Sequence, residues 1–178
     1  MILLSVIALV IGTAIGLSIA DVDHIFPFLT HRAAITHSFL LPLIAYLVVR
    51  EREPWAKMGV VGFCLGMIVH ISFDLFPRSW SGAALIHMIG FGALPPTASI
   101  LLICISMVVC FYLVFLLVEK RTDLIAGLIA LCIAFGMASA HETVFWWALL
   151  SIVVTLVIAL LLPVKTNIIS LVQSMLKG

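Results

Sequence analysis

The chain has 178 residues, of which 65% are hydrophobic and only 10% are charged, and its formal net charge is +1. A mean hydropathy of +1.36 is too high for a soluble domain of this length and indicates an integral membrane protein. The near-neutral charge argues against a nucleic-acid partner. The four cysteines all lie in apolar runs, which predicts small buried thiols rather than disulfides.

Six apolar segments are long enough, or nearly so, to cross a bilayer, which takes about 20 residues. The sequence therefore predicts a single all-α membrane domain, residues 1–178, folded as a polytopic bundle of about six transmembrane helices. The first segment is expected to be retained, because the basic stretch that opens a signal peptide is missing. The segments are Ile2–Ala20, Ala33–Val49, Met58–Phe76, Thr97–Val118, Leu124–Ser139 and Thr143–Leu162.

Three further features modify the predicted bundle of transmembrane helices. Pro42 is expected to kink the second helix. The apolar, glycine-containing stretch Ser81–Leu94 is too short to span, so it is expected at the interface or as a re-entrant loop. The tail Lys165–Gly178 has its apolar residues on one helical stripe, which predicts a short amphipathic helix on the membrane surface.

Lysine and arginine are concentrated at one end of the predicted bundle. Because basic loops face the cytoplasm, this end and both termini are predicted to be cytoplasmic. The opposite end holds all the histidines, so a site built from them would face outward from the cytoplasmic (inner) membrane of a bacterium or archaeon. The basic residues are Arg50, Arg52, Lys57, Lys120, Arg121, Lys165 and Lys177; the outward group is Asp21, Asp23, His24, His31, Arg32, His37, His70, Asp74, Arg78, His87, His141 and Glu142.

The first cluster of this group, Asp21-Val22-Asp23-His24, closes the first helix. Asp21 and His24 are three residues apart and share a helical face if the helix continues. Carboxylates at a helix C-terminus oppose the macrodipole, and a bound cation would compensate for this. The alternative is a hydrated interfacial turn with two acids.

The second cluster, His31 to Ser38, opens the second helix. Histidines six residues apart do not share a helical face, so His31 and His37 converge only across a loop-to-helix transition. Thr36 or Ser38 could then hydrogen-bond to a ligand. Interfacial histidines that merely reach water are the alternative. Arg32 would pair with the surplus carboxylates or bind a phosphate oxygen.

The third cluster is His70-x3-Asp74, near the end of the third helix. Residues at i and i+4 lie on one face, so these side chains point together. The pair can provide two metal ligands, a histidine with its orienting carboxylate, or a buried hydrogen bond that ties helices. His87 and His141-Glu142 lie on the same side without a patterned partner, and are possible supporting residues.

In this order, Asp-Val-Asp-His at 21–24, His-Arg-x3-Thr-His-Ser at 31–38 and His-x3-Asp at 70–74 resemble the YdjM-like family. These are inner-membrane proteins described as predicted metal-dependent hydrolases, with a distant similarity to zinc-dependent phospholipase C. The resemblance covers roughly the first eighty residues. One extra residue separates His31-Arg32 from Thr36, compared with the family pattern.

The first hypothesis is a membrane hydrolase that uses one or two divalent ions, with zinc favoured, on a lipid or other small phosphoester substrate. Asp23, His24, His37, His70 and Asp74 are the candidate ligands, and Asp21, His31 and Arg32 the candidate catalytic residues. A binding or transport protein for a metal ion or proton is the second hypothesis. The third is a structural membrane protein whose polar cluster locks its helices together.

Overall fold

The structure is a computed structural model that describes residues 1–25, 31–75, 85–140 and 145–162, with the side chain of His24 left out. Over these ranges the chain forms six α-helices and one 3-10 turn, which confirms the all-α class. The predicted surface helix at 165–178 lies outside the described residues. The elements are α1 (Ile2–Ser18), the 3-10 turn (Ala20–His24), α2 (Leu40–Val49), α3 (Pro54–Asp74), α4 (Pro96–Leu117), α5 (Arg121–Ser139) and α6 (Phe145–Leu161).

Three of these helices are long and apolar enough to cross a membrane, which indicates a membrane protein. They are α3, α4 and α5, with 21, 22 and 19 residues. Helices α1, α2 and α6 are apolar but shorter, with 17, 10 and 17 residues. A bundle of six crossings therefore stays a prediction.

Helix α2 begins at Leu40, seven residues after the predicted start. The preceding backbone has other partners: the Ala33 amide donates to Asp23 at 3.1 Å, and the Ala34 amide donates to the His87 carbonyl at 2.9 Å. Pro42 consequently lies in the first turn, where a missing N–H costs nothing. The expected kink inside a longer helix does not apply.

Helices α1 and α3 run parallel and pack backbone to backbone. The contact uses a Gly-x3-Gly spacing on each helix, which lets two backbones approach closely in a membrane protein. At all four glycines an added Cβ would overlap a backbone oxygen of the facing helix, so only glycine fits without moving the helices. These positions are Gly12 and Gly16 of α1, and Gly62 and Gly66 of α3.

Helix α3 is the centre of the bundle, with α1, α2, α4, α5 and α6 all packed against it. At its start, Lys57 Nζ lies 2.6 Å from Glu119 Oε1, just after α4. At its end, the rings of Phe73 and Phe135 stack with centroids 5.5 Å apart, next to the end of α5. The ends of α1, α3 and α5 and the starts of α2, α4 and α6 therefore share one end of the molecule.

A small hairpin occupies part of the stretch predicted to be re-entrant. Its strands, β1 (His87–Met88) and β2 (Gly92–Ala93), pair antiparallel. Gly90 and Gly92 have φ of 79° and 82°, which glycine adopts without strain. The hairpin precedes α4 directly, so it lies at the end of the molecule just defined.

Candidate metal centre

Three polar side chains converge between the ends of α1 and α3 and the segment before α2. Nε2 of His37 and Nε2 of His70 lie 3.3 Å and 3.4 Å from the same oxygen, Oδ2 of Asp74. The candidate ligand atoms of the three residues all fall within 4.8 Å of one another. The His37 side chain is fully buried, and those of His70 and Asp74 are 16% and 12% exposed.

The tautomer of His70 is fixed by helix α1. Its Nδ1 lies 2.9 Å from the carbonyl oxygen of Leu17, an acceptor only, so Nδ1 carries the proton and donates. Nε2 of the neutral ring then presents a lone pair toward Asp74. The Leu17 carbonyl is within reach because the glycines of α1 and α3 hold the two backbones together.

The polar partners of His37 favour the same tautomer. Its Nδ1 lies 3.0 Å from Thr36 Oγ1 and 3.5 Å from Asp23 Oδ2. The Thr36 hydroxyl donates to the Ala33 carbonyl at 3.0 Å, so it accepts from the ring. Nδ1–H therefore faces Thr36 and the Asp23 carboxylate, and Nε2 of the neutral ring is left with a lone pair toward Asp74.

Asp74 is oriented by Arg32. The guanidinium Nε donates to Asp74 Oδ1 at 3.1 Å, which turns the other oxygen, Oδ2, toward the two imidazoles. Arg32 has φ 61°, and among the described residues no other non-glycine residue has positive φ. Such a conformation costs about 1–3 kcal/mol and persists only where surrounding contacts impose it. Here the imposed turn directs Arg32 at Asp74.

Asp23 lies behind His37 rather than among the converging atoms. Burial raises the pKa of its carboxyl, but the hydrogen bonds from the Ala33 and Arg32 amides, together with the positive charge that His37 carries when it is protonated, hold the pKa below its ordinary value. Asp23 is therefore a carboxylate at neutral pH. A carboxylate on the outer nitrogen of a ligand histidine is the usual support in metal sites, because it fixes the ring and raises its basicity.

The atoms between His37, His70 and Asp74 suit a metal ion. Two lone-pair nitrogens and one carboxylate oxygen face each other, and neither His37 Nε2 nor Asp74 Oδ2 has a hydrogen-bond partner. Buried acceptors without a donor are costly, and a cation at their centre removes the cost. The His37–His70–Asp74 group could therefore hold a metal ion. The same contacts are ion pairs when an imidazole is protonated instead.

Two more of the predicted site residues line the rim of the cluster. Asp21 Oδ1 lies 3.8 Å from His70 Nε2, and its side chain is 57% exposed. His31 Nδ1 lies 3.6 Å from Asp23 Oδ1, and its side chain is 45% exposed. Both are within reach of a molecule that approaches the buried ligands from solvent.

The remaining predicted site residues either contact the backbone away from the converging atoms or lie outside the described residues. His87 forms hydrogen bonds to the backbone before α2: its amide donates to the Arg32 carbonyl at 2.9 Å, and its Nδ1 donates to the His31 carbonyl at 2.8 Å. Ser38 Oγ accepts from the Leu40 amide at 3.4 Å, at the start of α2. The His24 side chain, Arg78, His141 and Glu142 are not among the described groups.

No match to this chain is found among family models, curated proteins or solved structures. The fold and the site alone define the class: an all-helical protein with helices long and apolar enough to span a membrane, and a His/Asp cluster able to hold a metal ion at one end.

Proposed function

We propose that the protein is a membrane-embedded, metal-dependent hydrolase that acts at the non-cytoplasmic surface on a lipid or phosphoester substrate. His37, His70 and Asp74 hold the ion in this proposal, with zinc favoured because nitrogen and carboxylate ligands suit it. Three protein ligands leave a coordination position open, as catalytic zinc sites do. This assignment agrees with the resemblance to the YdjM-like family.

The observation that carries the proposal is the direction of the two imidazoles. Each presents Nε2 to Asp74 because its Nδ1 is committed, in His70 to a backbone carbonyl and in His37 to Thr36 and Asp23. When both rings are neutral, three acceptors therefore face one another, and a cation between them would satisfy all three.

The residues around the cluster have the charges that ester hydrolysis needs. A divalent ion supplies Lewis acidity, which polarises a phosphoryl oxygen and makes hydroxide available near neutral pH. Asp21 is the proposed general base, since its carboxylate lies at the exposed rim near His70. Arg32 keeps a positive charge beside Asp74, where an anionic phosphate oxygen would be stabilised. His31, also at the rim, is the proposed proton donor to the leaving group.

A lipid substrate is favoured by the position of the cluster. It lies where helices end, so it meets the head-group layer of the membrane in which α3, α4 and α5 would be embedded. The basic residues Arg50, Lys57 and Lys120 lie toward the opposite end, which supports an outward orientation for the site. Transport is less well supported, because the buried residues of α3 on the approach to His70 are apolar.

The test is hydrolysis of radiolabelled phospholipid by the purified protein in mixed micelles. We expect activity that chelation abolishes and zinc restores, and that is lost in His37→Ala and Asp21→Asn. The two variants separate the roles, because Asp21→Asn should retain the ion whereas His37→Ala should not. Metal retention with no hydrolysis of any phospholipid or soluble phosphoester would contradict the proposal and favour binding or transport.

A further inference from the structure

The tip of the hairpin 87–93 is apolar, yet it is exposed. Phe91 is 89% exposed, Ile89 51% and Met88 39%. No lysine, arginine, aspartate or glutamate occurs from Leu85 to Val118. A tip of this composition in water would leave a contiguous apolar surface with no polar rim of its own.

The base of the same hairpin is firmly attached to the bundle. Ile86 is fully buried, and its amide donates to Ser99 Oγ of α4 at 3.0 Å. The Leu94 amide donates to the Ile86 carbonyl at 2.8 Å, which closes the hairpin. The exposure of Phe91 therefore does not come from a loose loop; the tip is held outward.

Other exposed apolar side chains lie at the same end of the molecule as the hairpin. Trp146 and Trp147, at the start of α6, are 67% and 54% exposed, and Leu101, in the second turn of α4, is 61% exposed. Tryptophan at the start of an apolar helix is typical of the membrane–water boundary. The site end of the molecule thus has the composition of a membrane–water boundary.

The hairpin also binds the turn that directs Arg32. Ala33 and His87 form a parallel β-bridge, in which the His87 amide donates to the Arg32 carbonyl and the Ala34 amide donates to the His87 carbonyl, both at 2.9 Å. Together with the hydrogen bond from His87 Nδ1 to the His31 carbonyl at 2.8 Å, this pairing holds the backbone on both sides of the positive φ of Arg32. The side chain of Arg32 then positions Asp74 through the hydrogen bond that its Nε donates to Asp74 Oδ1.

We propose that the hairpin tip, Met88 to Phe91, is inserted into the lipid leaflet on the site side, and that this anchor holds the 31–34 turn in place. The occupant of the apolar surface is the acyl region of the same bilayer. The position of Arg32, and with it Asp74, then depends on contact between the hairpin and lipid. The inference concerns the hairpin and the turn that it holds, and it does not depend on a bound ion or on hydrolysis.

Insertion is tested with a nitroxide spin label on Phe91→Cys, in a Cys104→Ser, Cys132→Ser background, reconstituted in nanodiscs of phosphatidylethanolamine and phosphatidylglycerol. Cys64 and Cys110 are fully buried and remain. We expect collision with oxygen, which concentrates in lipid, to exceed collision with a water-soluble nickel chelate several-fold. The control label on Arg50→Cys, whose side chain is 53% exposed between α2 and α3, should show the reverse. Nickel access at Phe91 equal to that at Arg50, or exclusion of both reagents by a protein contact, would overturn the proposal.

The dependence of the turn on the anchor is tested by hydrogen exchange in the same nanodiscs. Phe91→Asp should speed exchange of the Ala34 and His87 amides several-fold, whereas Phe91→Leu, which keeps an apolar tip, should leave it unchanged. Ile89→Asn is the second variant if Phe91→Asp does not fold. Equal exchange in the polar and apolar variants would show that the turn holds without its lipid anchor.

Discussion

At the scale of single residues, the site depends on which atom of each imidazole is occupied. Two histidines near a carboxylate are common, and i, i+4 pairs such as His70 and Asp74 are frequent on helices. What distinguishes this cluster is that both Nδ1 atoms have partners, Leu17 and Thr36, while both Nε2 atoms face the same carboxylate oxygen. The capacity to hold a metal ion follows from this arrangement more directly than from the residue types alone.

Asp23→Asn tests whether the Asp23 carboxylate near Nδ1 of His37 contributes to metal binding. Asparagine keeps an oxygen that can accept from the Ala33 amide, but it removes the negative charge near His37 Nδ1. We expect zinc affinity to fall about 10- to 100-fold, the usual loss when the outer partner of a ligand histidine is changed. Competition with a chromophoric chelator measures it.

The matched control for this variant is Asp123→Asn, in the first turn of α5 at the opposite end of the bundle. Its zinc affinity should equal that of the wild type. If Asp23→Asn binds zinc as tightly as the control does, the carboxylate behind His37 has no part in the site.

At the scale of elements, the close packing of α1 on α3 brings the Leu17 carbonyl to His70. Gly66→Ala places a Cβ on the Thr13 carbonyl oxygen and forces the helices apart. Overpacking of this kind costs about 1–3 kcal/mol. We expect a lower melting temperature in detergent and, because the His70 hydrogen bond is disturbed, weaker zinc binding.

Gly136→Ala is the control, because nothing lies within 4 Å of a Cβ at that position of α5. Its melting temperature should equal or slightly exceed that of the wild type, since alanine favours helix over glycine. Should both alanine variants melt alike, the glycine contact between α1 and α3 would not be what holds the site.

The sequence predicted the elements better than it predicted their junctions. Helical class and the pairing of His70 with Asp74 follow from local patterns, apolar length in one case and spacing in the other. The position of His37 in the site does not follow from a local pattern. It requires the bridge between Ala33 and His87, which lie in segments far apart in the chain. No local pattern specifies such a contact.

Other features were available in the sequence but were not used. The spacings Gly12-x3-Gly16 and Gly62-x3-Gly66 are visible in two apolar segments and are typical of close helix contacts in membranes. They would have predicted that α1 packs on α3. The role of Asp23 as a partner of His37 could not be read from local spacing, because Asp23 lies thirteen positions before Thr36, the neighbour of His37.

At the scale of the whole molecule, an outward-facing site and cytoplasmic basic loops would lie on opposite sides of the membrane. Asp21→Cys should react with a membrane-impermeant maleimide in intact bacterial cells, and Arg50→Cys only after permeabilisation, in the Cys104→Ser, Cys132→Ser background. The physical reason is that basic loops stay cytoplasmic during insertion. The opposite labelling pattern would place the site inside the cell.

If His37, His70 and Asp74 hold a metal ion, as proposed, the purified protein contains metal, and the metal content of each chain can be measured. Protein purified from zinc-supplemented cells, measured by mass spectrometry of the metal against quantitative amino-acid analysis, should carry about one or two ions per chain. His70→Ala should carry almost none, while Asp123→Asn carries as many as the wild type. A wild-type protein without metal, or a His70→Ala variant that keeps the full amount, would contradict the account.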